Sequence, residues 1–277
     1  INVYIMVKNI ASFILLVVIC VSCGKHEYPS ALVEADSLCY SNPKLALEKL
    51  SHIRKGLDTT NTADWMYFRL VKLKAQDKAY IPHSDLTNLN QMIAYYEGKG
   101  DKKMLPEIYY LAGSTYFDLH DSPQALDYYH KVLDNITADD HLRLWGITHA
   151  QIGYVMLYQG NYMSAVQHFR ESYFVDSIRN DVEGMIFDLR DLGYSYSSTE
   201  KLDSAIFYSH KALQLSLKIK NSKMANNARS SLVGFYLDSR SCNVDSVAKY
   251  IYPMLNDVEP EDRSAVYCVA MKYYMLR

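Results

Sequence analysis

From about residue 30 onward, apolar side chains recur at i, i+3 or i+4, and i+7 in stretches broken by short polar turns. That spacing places them on one face of a helix. Ala31 to Leu38 and Pro43 to Ile53 read as one helix pair, with Asn42 as N-cap and Pro43 at the first helical position. Trp65 to Ala79 and Asp85 to Glu97 read as another. Beyond them the chain repeats itself. Gly113, Gly153 and Gly193 recur at intervals of 40, and Ala125, Ala165 and Ala205 follow them, each 12 residues on. Each unit reads as two amphipathic helices. Tyr109, Ala112, Gly113 and Tyr116 share a face of the first, and Ala125, Tyr129 and Val132 share a face of the second. A mid-helix glycine costs about 1 kcal/mol relative to alanine. Its acceptance at three matched positions reports a seam where two helices approach to within about 8 Å.

The pattern large-x-x-hydrophobic-Gly-x-x-Tyr, followed by Ala-x-x-x-aromatic-x-x-small, resembles the tetratricopeptide repeat. Tyr109, Ala112, Gly113, Tyr116, Ala125, Tyr129 and Val132 fill it in order. So do His149, Ile152, Gly153, Met156, Ala165, Phe169 and Ser172, and then Leu189, Leu192, Gly193, Tyr196, Ala205, Ser209 and Ala212. A fourth unit reads through Val233-Gly234, then Val247, Ile251 and Met254. The unit is longer than the family's usual length of about 34 residues. Ser209 stands where an aromatic is expected, and the terminal proline of each unit is missing. The resemblance implies an all-α fold, a right-handed α-solenoid of antiparallel helix pairs, over residues 30–277. Asp262 to Leu276 resembles the first helix of a further unit, so the expectation is that Arg277 is a boundary with more protein beyond it.

The resemblance also implies a concave face lined by the first helix of each unit. It assigns to that face Tyr110, Ser114 and Phe117, then Tyr154 and Tyr158, Arg190 and Tyr194, and Phe235 and Asp238. Aromatic and arginine side chains are the usual anchors of protein interfaces, because they bury much area for little lost rotamer freedom. Chaperone-binding members of the family hold a peptide carboxylate with lysines and asparagines. Here those positions are Tyr110, Ser114, Ala150, Tyr154, Arg190 and Tyr194, so that clamp is absent. The expected ligand is an apolar or aromatic-containing protein segment, with Arg190 available for one acidic group.

Ahead of the helices, Ile10 to Val21 is an apolar run of twelve broken only by Ser12. It is too short for a hydrocarbon core that needs about 20 residues. With Lys8 before it, the run reads as a signal-peptide core, and Met6 stands where a leader would start. Cys20-Val21-Ser22-Cys23 resembles a bacterial lipobox, although Cys20 replaces the usual leucine. The resemblance implies cleavage after residues 1–22, diacylglycerol on the Cys23 thiol, and a linker over 23–29. No acidic cluster follows Cys23, which favours a periplasm-facing anchor in the envelope of a Gram-negative bacterium over surface export.

Composition narrows the function classes. Twenty-nine basic against 31 acidic residues leave a net charge of -2, with no basic excess to neutralise a phosphate backbone. The chain has no His-Glu-x-x-His, Gly-x-Ser-x-Gly, phosphate loop or dinucleotide fingerprint, so no catalytic, cofactor or metal residues are assigned. Cys39, Cys242 and Cys268 show neither disulfide nor zinc spacing. His149 occupies a packing position, and His120, His130 and His168 read as solvated. The 25 tyrosines divide between core positions (Tyr109, Tyr116, Tyr129, Tyr196) and the concave face. The sequence thus points to a non-enzymatic, lipid-anchored scaffold for a protein or peptide. The alternative is the extracytoplasmic sensor region of a signalling or transcriptional regulator whose membrane helix and output domain lie beyond residue 277. A glycan-uptake lipoprotein is disfavoured, because two tryptophans are few for a sugar platform.

Overall fold

The computed structural model describes residues 26–137, 141–238, 244–256 and 263–276. The leader, Cys23 and the start of the linker lie outside the described residues. Among the described residues every regular element is a helix, and they fall into two compact units that divide after His83.

The first unit holds α1 (Ser30–Leu38), α2 (Pro43–Gly56) and α3 (Thr62–Lys78). The Asn42 side chain accepts a hydrogen bond from the Leu45 amide, and Pro43 opens α2 where its missing N–H would have no partner anyway. Leu32, Ala35, Ala46, Leu50, Leu70, Val71 and Ala75 are buried. Around this core, Asp36 accepts from Tyr67 Oη and Lys74 Nζ, both at 2.8 Å.

The second unit begins at Ser84. It runs through α4 (Leu86–Gly98), a 3-10 turn (Lys102–Met104), α5 (Leu105–Asp118), α6 (Ser122–Asn135), α7 (Leu142–Tyr158) and α8 (Tyr162–Arg179). It continues through α9 (Val182–Ser197), α10 (Leu202–Lys218), α11 (Ser222–Asp238), α12 (Val244–Asn256) and α13 (Arg263–Leu276). α5/α6, α7/α8 and α9/α10 are the three repeated hairpins, and the seam between their helices lies on the matched small residues. A Cβ on Gly113 would collide with the Tyr129 ring, and one on Gly153 would lie 2.7 Å from the Phe169 ring. In the third hairpin the aromatic is missing, and a Cβ on Gly193 would lie 3.0 Å from the Ser209 hydroxyl, with the Ala205 carbonyl at 3.4 Å and the Phe235 ring at 3.7 Å. The space left by Ser209 is taken from the next unit: Phe235 of α11, 6% exposed, packs with Leu192, Tyr196 and Ala205.

The fourth unit departs from the sequence reading by one residue. Forty positions after Gly193 stands Val233, which is fully buried, whereas a Cβ on Gly234 would meet nothing within 4 Å. Gly234 therefore continues the row Ser114, Tyr154, Tyr194, and Phe235 continues the buried row Thr115, Val155, Ser195. Val247, Ile251 and Met254 of α12 are buried as expected.

The connections follow a stricter rhythm than the side chains. Positive φ occurs at His120, Gly160, Asn180, Glu200 and Lys220, at every helix end between α5 and α11 except that of α6. In each case the following amide bonds back to the carbonyl five residues earlier, as Asp121 to Tyr116, Asn161 to Met156 and Asp181 to Asp176. This is the Schellman closure. The same following residue is the N-cap of the next helix, and Asp121, Asp181 and Asn221 also accept its early amides. Two residues thus end one helix and begin another.

Candidate functional site

α5 meets α7, α9 meets α11 and α11 meets α13 backbone to backbone, and α7 and α9 are joined through side chains; among the described residues no successive pair of second helices (α6 with α8, α8 with α10, α10 with α12) comes as close backbone to backbone. The first helices therefore form the inner layer. Side chains tie them in sequence. The Phe117 ring lies 5.8 Å from Tyr158, Tyr154 Oη donates to Asp191 at 2.5 Å, Ser231 Oγ donates to Tyr194 Oη at 3.1 Å, and Lys272 Nζ reaches Asp238 at 2.7 Å.

The residues assigned to this face from sequence do not all reach its surface. Tyr158 is 77% exposed and Tyr194 43%, while Ser114, Phe117, Tyr154 and Arg190 are half-buried and Asp238 is exposed. Tyr110 is buried, with its ring 6.1 Å from Tyr129, and belongs to the seam. Phe235 is buried for the register reason given above.

Arg190 and Tyr154 are already engaged. The guanidinium holds Asp191 through Nε at 2.8 Å and a terminal nitrogen at 3.1 Å, and the latter also donates to Tyr154 Oη at 3.2 Å. Its plane lies 5.1 Å from the Phe187 ring centroid. Asp191 is 3% exposed, so the pair is a desolvated, bidentate one that neutralises the arginine within the protein. Behind it stand two more carboxylates. Burial, relieved in part by a hydrogen bond with Ser172, pushes Asp188 up to about 8. Burial and the neighbouring Asp181 charge push Asp176 up to about 6, against the opposing pull of Arg179 and Arg143. Burial also leaves Asp188 Oδ2 without a hydrogen-bond partner, and with its carboxyl raised to about 8 Asp188 holds a proton at neutral pH. Gly184 makes room for this group, since a Cβ there would collide with the Asp176 carboxylate.

Neither Asp188 nor Asp191 was singled out by the sequence reading, yet a signal was present. Asp188 lies 40 residues after Thr148 and 80 after Ile108, and both of those matched positions are buried.

Neither a family model nor a curated relative matches the sequence. Solved structures match the fold. A signal-transduction ATPase with a tetratricopeptide-repeat sensor from Pyrococcus horikoshii superposes with a TM-score of 0.66 at 16% identity, covering 83% of this chain and 35% of that one. A Rap protein complexed with competence and sporulation factor gives 0.62 at 11% identity, over 88% of this chain and 70% of that one. A Rap conjugation regulator of plasmid pLS20, in complex with the Phr* peptide, gives 0.53 at 15% identity, over 91% and 71%. The fold is that of a tetratricopeptide-repeat solenoid.

The outer edge of the solenoid carries a second periodic feature. Tyr116 stacks on Tyr128 at 5.5 Å, Tyr196 on Tyr208 at 5.3 Å and Tyr236 on Tyr250 at 5.9 Å. Arg170 donates to Tyr196 Oη at 2.6 Å, and His210 Nε2 lies 3.2 Å from both Tyr236 and Tyr250 Oη. In the second hairpin Met156 and His168 occupy the corresponding positions. His168 is consequently not solvated. Its Nδ1 lies 2.9 Å from Nδ1 of His149, and burial brings both imidazoles down to about 4, so the pair is neutral and one ring donates to the other. Among the described residues no group of three or more candidate ligands could hold a metal ion, and no helix is long and apolar enough to cross a membrane.

Proposed function

We propose that the chain is a non-enzymatic scaffold that binds a protein or peptide segment along the inner layer of first helices. One observation carries this reading: exposed Tyr158 and Tyr194 flank half-buried Phe117 and Tyr154 on a layer braced from behind by the Tyr154–Asp191–Arg190 network. Rigid aromatic side chains presented on a fixed backbone are what a binding face needs, because little entropy is lost on contact. The two Rap structures were both determined with a peptide or factor bound, which favours the same use of the fold here.

The test is comparative affinity capture with mass spectrometry on the wild-type chain and on Tyr158→Ala/Tyr194→Ala. Both side chains are exposed, so folding should persist, and partners that depend on the face should be lost by at least tenfold. Equal capture by the variant with an unchanged circular dichroism spectrum would remove the assignment. Replacing Tyr154 and Arg190 is a poor test, because it would strand the buried Asp191 carboxylate.

The envelope anchor is part of the proposal. Diacylglycerol on Cys23 would contribute about 0.8 kcal/mol per buried methylene, and more than one chain gives stable attachment. Detergent-phase partitioning that is unaffected by Cys23→Ala would argue against lipidation, and protease accessibility in intact cells against opened cells tests the periplasmic orientation. A second reading, the sensor part of a signalling protein, is favoured by α13, where Tyr267, Met271 and Tyr274 expose one apolar stripe at i, i+4 and i+7. Reading the gene past codon 277 tests it: an apolar stretch of about 20 residues followed by an output domain would support it.

A further inference from the structure

A second regularity of the inner layer narrows the class of partner, given the peptide-binding reading above on which this inference rests. Tyr154, Tyr194, Gly234 and Tyr274 follow one another at intervals of 40 on successive first helices. The first two tyrosines each reach the residue 37 further on, across to the next first helix: Tyr154 Oη donates to Asp191, and Tyr194 Oη accepts from Ser231 Oγ. The residues so reached are buried, Asp191 at 3% and Ser231 at 7% exposure.

Gly234 breaks the pattern. The residue 37 further on is Met271 of α13. The register holds there, because the seam row Gly193, Val233, Tyr273 stays buried and Lys272 Nζ reaches Asp238, one turn after Gly234, at 2.7 Å. A Cβ on Gly234 would meet nothing within 4 Å, and Met271 is 58% exposed. Ser114, the earlier small member of the row, precedes Gln151 by the same interval, and that side chain is polar and half-buried. Gly234 is thus the member whose missing ring leaves an apolar side chain bare. On the flanking helices α9 and α13, Tyr194 and Tyr274 are 43% and 51% exposed.

The matched positions show what this place accepts. A thioether is a favourable neighbour for an aromatic ring, rings pair well offset or edge to face, and a rigid ring loses little rotamer freedom on entering. A charged group would be desolvated there without a partner, since Lys272 and Asp238 hold each other. We propose that the vacancy at Gly234 seats an aromatic side chain of the bound segment, its ring lying on Met271 between Tyr194 and Tyr274 and completing the row.

The probe is a displayed library of random dodecapeptides, selected on the full chain, on Gly234→Tyr, which fills the seat from within, and on Tyr158→Ala/Tyr194→Ala. The added ring enters open space, so Gly234→Tyr should melt no lower than wild type. Met271→Ala, at an exposed position, carries the same test should that variant fail to fold. Wild-type selectants should carry phenylalanine, tyrosine or tryptophan at one position at least threefold above the unselected library, and the enrichment should vanish on Gly234→Tyr. Replacing that aromatic by alanine should weaken binding about tenfold on wild type and leave it unchanged on Gly234→Tyr, the non-additivity of two groups that compete for one seat. Selectants that need Tyr158 and Tyr194 but show no aromatic enrichment, or that bind Gly234→Tyr as well as wild type, would overturn the aromatic seat and leave the binding face standing. Selectants indifferent to all these substitutions would overturn both.

Discussion

At the scale of single residues, the glycines separate by what surrounds them. Gly113→Ala would drive a methyl into the Tyr129 ring, and overpacking of this kind costs about 1–3 kcal/mol. Gly234→Ala meets open space on a helix, so it should gain about 1 kcal/mol from helix propensity. Gly193→Ala should fall between them, because the Ser209 hydroxyl can rotate away. Urea midpoints of the three variants check the order. Asp188 gives a pH prediction. Its carboxyl is raised from an ordinary carboxylate value to about 8 by burial, so its stabilising contribution is complete under acid conditions and is lost as pH rises through 8. Between about 6.5 and 8 the protein should lose stability with rising pH, and Asp188→Asn, of the same shape but without a titrating proton, should flatten that slope in thermal melts. Below about 6.5 the neutral His149–His168 pair acts in the other direction, since its depressed values mean stability is lost as pH falls toward 4.

At the scale of the helical elements, the left-handed turn residues hold the connections. A non-glycine residue in that region costs about 1–2 kcal/mol, and a new glycine gives back about 0.4–1 kcal/mol of that through the unfolded chain. Glu200→Gly, at φ 59°, should therefore raise the melting temperature modestly, while Gly160→Ala, at φ 74°, should lower it. Asn180→Gly should change little, because asparagine tolerates this conformation better than other side chains. Differential scanning calorimetry of the three decides whether these turns carry strain. The stacked tyrosine pairs belong to the same scale. Each joins a first helix to its own second helix, while Arg170 and His210 link the hairpin before to the pair after.

At the scale of the whole molecule, a solenoid is held by nearest neighbours. α8 and α9 are flanked by helices on both sides, whereas α13 exposes Tyr267, Met271, Tyr274 and Met275. Amides of α13 should exchange with deuterium well before those of α8 and α9, and a uniform exchange rate across the array would contradict this ordering. Much of the architecture was legible in the sequence, because two helices can close on each other only where Gly113/Tyr129 and Gly153/Phe169 fit, and that demand repeats. The fourth unit was harder to read. Gly234 mimics the seam glycine one position late, so Phe235 looked like a surface residue when it fills the place Ser209 vacates. The binding face was legible as a row of positions but not as a charge distribution. What neutralises Arg190 is its own neighbour Asp191, and what fixes the pair is Tyr154, 37 residues away in sequence. No spacing rule announces a hydrogen bond across two helices, and the same is true of the His149–His168 contact.

The short connections carry one more consequence. Because the residue that closes one helix also caps the next, there is no slack in which to lose or gain a single amino acid. One extra residue at position 120 or 160 would swing every side chain of the following helix by about 100° around its axis. Lengthening by gene duplication is free of that penalty only when whole hairpins are copied, so relatives of this chain should differ in size by multiples of one hairpin while their turns keep the same length.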